Sequence, residues 1–277
     1  IIIIGGGAAG LMAAVTAANM GKKVLVLEKM PRPARKIMIT GKGRCNLTNN
    51  TDEKTLIANV CRNGRFLYSA FSRFNADDTM RFFEDAGVPL KTERGNRVFP
   101  VSDKSVDIVD ALVNSAKSAG VKILNKQVSD ILTSNGAVVG VKTESGEVFE
   151  CQSLLIATGG LSYPTTGSTG DGFDFARKLG HTVTPLRPSL VSMQVYEGYV
   201  ETLSGLSLKN VALTVINNGK TTFSGQGEML FTHTGISGPL VLTASALTDD
   251  VGECRALIDL KPALSVEQLD KRLLRDF

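Results

Sequence analysis

The chain opens on four consecutive apolar residues, Ile1 to Ile4, followed without a gap by Gly5-Gly6-Gly7-Ala8-Ala9-Gly10. A short, wholly apolar run bounded by glycine predicts a strand buried on both faces of a parallel sheet. An alanine-rich helix is expected to about Met20, with Gly21 placed to end it and Lys22 and Lys23 at its negative end. Val24 to Leu27 reads as a second buried strand closed by Glu28, which completes a strand–turn–helix–strand unit.

The pattern then loosens. Residues 31–50 are polar and loop-like, with Arg32, Arg35, Lys36, Lys42 and Arg44. Helical spacing returns near 65–74 and 76–86, the second stretch closed by Gly87 and Pro89. Another helix, capped by Asp103 or Ser102, is expected to end at Gly120, followed by a strand at 121–124. Three short strands, 127–133, 137–143 and 147–151, are joined by Asn135-Gly136 and Ser145-Gly146, both hairpin signals. They lead into Leu154-Leu155-Ile156-Ala157-Thr158-Gly159-Gly160, a further buried strand that breaks into a glycine turn. Gly167 to Gly172 opens a helix that ends near Gly180. Past Pro185 and Pro188 the spacing turns to strands, near 192–196, 206–216 and 220–231, with Asn218-Gly219 as a turn. A short helix after Pro239, a strand at 255–260 and a capping box Ser265-Val266-Glu267-Gln268 complete the pattern. This change marks a boundary near 188–191, giving domains 1–190 and 191–277.

Composition narrows the class. At about 150 residues per domain, 277 residues suggest two domains. A hydrophobic share of 43% excludes a disordered chain. The 31 basic and 27 acidic residues give a net charge of only +4, too mild a bias to call for nucleic acid. No apolar run reaches the roughly 18 residues of a membrane span, and the opening residues lack the features of a signal peptide. Cys45, Cys61, Cys151 and Cys254 are far apart with no C-x-x-C, which argues against a metal site and for a reducing, cytoplasmic setting. The absent initial Met and the helical pattern interrupted at Phe277 read as a fragment of a longer protein.

The chemistry starts at Gly5-x-Gly7-x-x-Gly10, which has a strand before it, a helix after it and an acidic residue at the end of the next strand. Gly5 permits the tight turn, Gly7 lets the backbone approach a pyrophosphate, and Gly10 lets helix and strand pack closely. The helix N-terminus offers free N–H groups to phosphate, and Glu28 is placed to accept hydrogen bonds from a ribose. A second segment, Thr40-Gly41-Lys42-Gly43-Arg44-Cys45-Asn46-Leu47-Thr48-Asn49, is not a P-loop, because Lys36 and Gly43 stand where Gly and Ser or Thr would be needed. Its glycines and cations suit an anionic or electron-rich ligand, or else a solvated basic loop. Gly170 and Asp171 sit either in a backbone nest beside a ligand or in an ordinary helix cap.

The layout after Glu28 resembles the FAD-binding domain of the glutathione-reductase and fumarate-reductase superfamily. There the three-stranded meander is a crossover connection and the Ala-Thr-Gly turn returns the chain to the cofactor. The run from Gly41 to Asn49, Ala157 to Pro164, Gly167 to Gly172, Leu179-Gly180-His181 and Phe231 to Pro239 is similar to the HI0933-like flavoproteins, the BaiN/RdsA type. The resemblance implies an α/β fold: a Rossmann-like FAD-binding domain with a parallel sheet and a three-stranded antiparallel crossover. It also implies an inserted β-barrel-like domain carrying helices, and a closing segment beyond residue 277.

Carried onto this sequence, the resemblance places Gly5, Gly7, Ala8, Ala9, Gly10, Glu28, Lys29 and Lys36 at the cofactor. From the second motif it adds Gly41, Gly43, Arg44, Cys45 and Asn46, and from later segments Val128, Ala157, Thr158, Gly159, Gly160, Gly170 and Asp171. Arg44, His233 and Tyr163 are the candidate catalytic residues; His181, Cys45 and Tyr163 also have purely structural readings.

The expected activity is hydride transfer through flavin N5 from NAD(P)H, bound transiently without a Rossmann domain of its own, to an organic acceptor, with C=C reduction as the reaction type. The expected partner is a small-molecule substrate, with no membrane and no nucleic acid; nothing in the sequence sets an oligomeric state. Two alternatives stay open. One is a flavoprotein acting on RNA, with the cations of 32–44 facing phosphates, and the other a flavin-binding module without turnover.

Overall fold

The computed structural model describes residues 1–248 and 254–276, so the chain's last residue, Phe277, lies outside the described residues. The chain divides into two compact units, Ile1–Thr184 and Pro185–Phe277, so residues 185–190 group with the second.

The first unit is built on strand β1 (Ile2–Ile4), helix α1 (Ala8–Asn19) and strand β2 (Leu25–Glu28). Helix α2 (Arg35–Ile39), strand β3 (Thr48–Asn49), helices α3 (Glu53–Ala58), α4 (Tyr68–Phe71) and α5 (Ala76–Asp85), and strands β4 (Leu90–Glu93) and β5 (Arg97–Pro100) follow. Then come helix α6 (Ser105–Ser118), strand β6 (Lys122–Asn125), the meander β7 (Val128–Ser134), β8 (Ala137–Thr143) and β9 (Val148–Glu150), strand β10 (Leu154–Ile156) and helix α7 (Asp171–Lys178).

The central sheet has the order β10-β1-β2-β6 and is parallel throughout, with Ile3 facing Val26 on one side and Leu155 on the other. Its two faces explain the unbroken apolar run at the N-terminus. Ile3 and Val26 share a core with Leu11, Ala14 and Val15 of α1 and Ile108 and Leu112 of α6. Ile2, Ile4 and Leu27 pack with Val128, Ile131 and Val141 of the meander and Phe175 of α7. Every isoleucine of β1 is thus buried, at about 1.5–3 kcal/mol of transfer free energy per large side chain.

Local expectation and structure part in several places: α2 and β3 lie within the stretch 31–50 expected to be loop, and α3 was not anticipated. Residues 65–74 do not form one helix: a 3-10 turn over Gly64–Leu67 passes into the single turn of α4. The hairpin of β4 and β5, turned at Gly95 and Asn96 with φ of 77° and 58°, was not anticipated. Neither Asp103 nor Ser102 caps α6; its N-cap is Lys104 without a side-chain bond, because the Asp103 carboxylate is drawn to Lys91 and Arg44. Asp171 likewise is not a cap, since Gly170 holds that position with φ of 92° and Asp171 begins the helix proper.

The second unit contains strand β11 (Met193–Gln194), helix α8 (Tyr199–Thr202), the long strands β12 (Ser207–Asn217) and β13 (Lys220–Thr232), strand β14 (Gly235–Ser237), helix α9 (Pro239–Leu247), strand β15 (Cys254–Asp259) and helix α10 (Val266–Asp276). The strands form an antiparallel sheet in the order β11-β14-β13-β12-β15, which among the described residues ends at β11 and β15 and does not close into a barrel. Leu240, Val241 and Ala244 of α9 pack on Val211, Leu213, Val215, Met229 and Phe231. The capping box forms: Ser265 N–H donates to Gln268 Oε1 and Gln268 N–H to Ser265 Oγ, at 3.0 and 3.2 Å. Among the described residues no helix is long and apolar enough to cross a membrane.

Candidate functional site

At the C-terminal ends of β1 and β2 the first unit opens a cavity of about 390 Å³, within the range of small-molecule sites. Its floor is the turn from β1 into α1. Gly5 has φ of 102°, and a Cβ there would lie 2.5 Å from the Ala157 carbonyl oxygen. A Cβ on Gly10 would collide with the Gly5 carbonyl oxygen, so the first helical turn rests directly on the strand end. Gly7 differs: a Cβ there meets nothing within 4 Å, and the residue lines the cavity with Ala8 and Ala9. The N-cap Gly7 supplies no side-chain bond, so the first N–H groups of α1 remain open to an anion.

Glu28 forms one wall. Its Oε2 accepts from Gly6 N–H at 2.6 Å and its Oε1 from Met30 N–H at 2.7 Å. These bonds fix the carboxylate beside the glycine turn and leave each oxygen a lone pair for a further donor. Asn125 Nδ2 donates to the carbonyls of Glu28 and Met30, and Ala34 N–H to that of Gly6, which straps the following loop to the cradle.

The opposite wall joins residues far apart in sequence. Lys29 Nζ reaches the Asp171 carboxylate at 2.7 Å, and Thr169 Oγ1 donates to the same carboxylate. Burial alone pushes the Asp171 carboxyl up, and the bonds from Lys29 and Thr169 outweigh it, holding the group below its ordinary range. Lys36 Nζ donates to Ser168 Oγ at 2.7 Å and Ser162 Oγ at 3.3 Å. Lys29, Arg32, Arg35, Lys36 and Lys126 make the rim cationic, although Arg32 is paired with Asp110 and Lys126 with Glu147.

Of the residues expected at a cofactor, the cavity brings together Gly5, Gly7, Ala8, Ala9, Glu28, Lys29 and Lys36, and from later segments Val128, Ala157, Thr158, Gly159 and Asp171. It also gathers Arg32, Arg35, Thr40, Lys126, Thr166 and Ser168, which sequence reasoning missed. The basic composition of 31–36 was the one available signal for the first two; nothing local marks Lys126.

Gly10, Gly160 and Gly170 do not line it, and neither do Gly41, Gly43, Arg44, Cys45 or Asn46. Arg44 Nη1 donates to Glu93 at 2.9 Å and Asp103 at 3.1 Å, and its guanidinium lies 4.0 Å over the Phe99 ring. These partners raise Arg44 above its ordinary value, with the Glu93 bond the largest influence, and the same bond holds Glu93 low. Cys45 is buried in the core, and burial pushes its thiol up. Tyr163 is exposed, with φ of 53°, and its carbonyl accepts from Thr166. His233 lies exposed in the second unit, in the two-residue turn between β13 and β14, and His181 is exposed just past α7.

A parallel sheet, a glycine cradle opening on free helix N–H groups, and a carboxylate at the end of β2 define a Rossmann-type dinucleotide-binding domain. A model of the HI0933-like protein Rossmann domain matches residues 1–248, and the chain belongs to that family.

Among curated relatives, the chain is 34% identical over 272 residues to a ribosomal RNA dihydrouridine synthase of Haemophilus influenzae, covering 96% of this chain and 65% of that protein. It is 33% identical over 246 residues to the Escherichia coli protein of the same name, covering 88% of this chain and 60% of that one. It is 28% identical over 278 residues to a 3-dehydro-bile acid delta(4,6)-reductase of Clostridium scindens, covering 97% of this chain and 66% of the relative. The chain thus spans less than two thirds of the length of each of these relatives.

Proposed function

We propose that the protein binds FAD in this cavity and reduces a carbon–carbon double bond conjugated to a carbonyl, with reduced nicotinamide as the donor. The observation that carries the reading is the cradle: at Gly7 the backbone faces open space beside unpaired helix N–H groups, with Glu28 held at the adjoining wall. That arrangement fits a dinucleotide. The N–H groups of α1 would hold the pyrophosphate, Glu28 would accept from the ribose hydroxyls, and the cations of the rim would offset the phosphate charge. Lys36, anchored on Ser162 and Ser168, sets a fixed positive charge at the cavity wall. Bound there, FAD supplies the hydride transfer that protein side chains cannot perform. The net reaction takes a hydride from NAD(P)H and a proton from solvent and adds both across the double bond.

The relatives' names support the reaction type, since each denotes saturation of a ring double bond, in uridine or in a keto bile acid. A uridine within RNA is the acceptor the reading favours, because the two more similar relatives carry that name. The test is the visible spectrum of the purified protein under anaerobic conditions. Reduced nicotinamide is expected to bleach a bound flavin, and uridine-containing RNA to restore its colour. Recovery with an enone but not with RNA would move the substrate to the small-molecule class; no bleaching by NADH or NADPH would remove nicotinamide as the donor.

A further inference from the structure

Between Lys54 and Phe74 the chain holds Lys54, Arg62, Arg65 and Arg73 and no carboxylate, in a protein whose charges otherwise nearly balance. The same stretch leaves Phe66 85%, Tyr68 61% and Phe74 41% exposed. Phe66 and Tyr68 are large aromatic side chains standing in water, where burial against a partner would be favourable.

Their presentation is ordered. Helix α3, the 3-10 turn and α4 pack on one another. Gly64 brings the turn so close to α3 that a Cβ would lie 2.6 Å from the Ile57 carbonyl oxygen. The Phe66 N–H donates to the Asn63 carbonyl at 2.9 Å. Arg65 and Arg73 have no carboxylate partner among the described residues. Exposed rings interleaved with uncompensated cations match the two needs of a single-stranded polynucleotide, namely faces for bases to stack on and charge for phosphates. An apolar partner would meet Arg65 and Arg73, and an acidic peptide would make no use of the rings.

We propose that the 54–74 segment is a docking platform for single-stranded RNA, with Phe66 and Tyr68 as stacking faces and Arg65 and Arg73 as phosphate contacts. The proposal rests on the reading of RNA as the carrier of the acceptor, and it gives that reading a surface separate from the residues of the cofactor cavity.

The test is binding of a short fluorescein-labelled, uridine-containing single-stranded RNA to the protein, followed by anisotropy over a salt series. The double variant Phe66→Ala/Tyr68→Ala is expected to weaken binding at least tenfold at every salt concentration, since stacking is worth about 1–3 kcal/mol per base. Phe66→Trp/Tyr68→Phe, which keeps two ring faces, should restore it. Arg65→Ala/Arg73→Ala should flatten the slope of log K against log salt by about 1.4, from about 0.7 per phosphate contact on single strands. Flavin content and bleaching by reduced nicotinamide, read in the same preparations, should equal wild type in all three. Loss of bleaching with RNA binding intact would strike the proposed reaction and leave the platform standing. Wild-type RNA affinity in both alanine variants would overturn the platform. Displacement of RNA by polyglutamate as effective as by unlabelled RNA would also overturn it, pointing to an acidic protein partner instead.

Discussion

Gly7 and Gly41 stand in two glycine-rich segments of the same unit, and their surroundings are opposite. Around Gly7 there is open space on the cavity side, and the neighbouring N–H groups face it. At Gly41, with φ of 55°, a Cβ would lie 2.7 Å from the Asn46 amide nitrogen and 3.1 Å from the Phe99 ring. Gly7 leaves space on the cavity side, whereas Gly41, like Gly5 and Gly10, admits the protein's own chain. The cations divide the same way. Lys36 rests on two serine hydroxyls at the cavity wall, whereas Arg44 is consumed by Glu93, Asp103 and the face of Phe99. A glycine-and-arginine motif therefore reports close backbone approach without saying what approaches.

The largest effect that separates the segments from mere glycine richness is expected at Gly10→Ala. The added methyl collides with the Gly5 carbonyl oxygen rather than with a movable side chain. Urea unfolding should show a loss at or above the about 1–3 kcal/mol typical of overpacking, with flavin binding lost alongside. Unchanged stability would mean that the turn and helix are not locked together.

Glu28→Ala should come next. Removing a charged acceptor of the ribose should weaken FAD binding by about 1.5–3 kcal/mol, roughly 10–150-fold, with a smaller loss of stability from the freed Gly6 and Met30 amides. Arg44→Ala should leave FAD affinity and the flavin midpoint potential where they are in wild type, because the guanidinium is committed elsewhere. A potential lowered by on the order of 30 mV would place Arg44 at the flavin after all and break the contrast.

The smallest effect concerns Asp171. Its carboxyl is held below the ordinary range in the folded protein, so the pair with Lys29 contributes fully above the ordinary value of about 3.9. That contribution fades as pH falls through the depressed folded value. Asp171→Asn should lower stability at neutral pH and converge on wild type in acid; parallel curves down to pH 2 would show that the pair contributes nothing.

The contrast also explains how much was legible in the sequence. Gly5, Gly7, Gly10 and Glu28 act within one local unit, where strand, turn and helix are set by neighbours in the chain, so spacing alone located them. The Lys29–Asp171 pair spans 142 residues, and only the return of the chain through β10 brings its halves together. The partners of Arg44 were out of reach of the local pattern for a related reason. Two of its partners, Glu93 and Phe99, lie on the β4–β5 hairpin and the third, Asp103, just beyond it, and that hairpin escaped the hydrophobic pattern despite its Gly95-Asn96 turn. In the second unit β11, β12, β13 and β15, the Pro239 helix and the Ser265 capping box were readable because each carries its signal within a few residues, whereas the short β14 and α8 were not anticipated. The order of strands in its sheet had no such local mark.

The central claim is that the open space at Gly7 is where the dinucleotide's phosphates sit. Gly7 has φ of −80° and ψ of −171°, a conformation open to any residue, and a Cβ there would meet nothing within 4 Å. Gly7→Val should therefore fold with a wild-type melting temperature and fail to take up FAD in a calorimetric titration. A Gly7→Val protein that binds FAD with wild-type affinity would contradict the account.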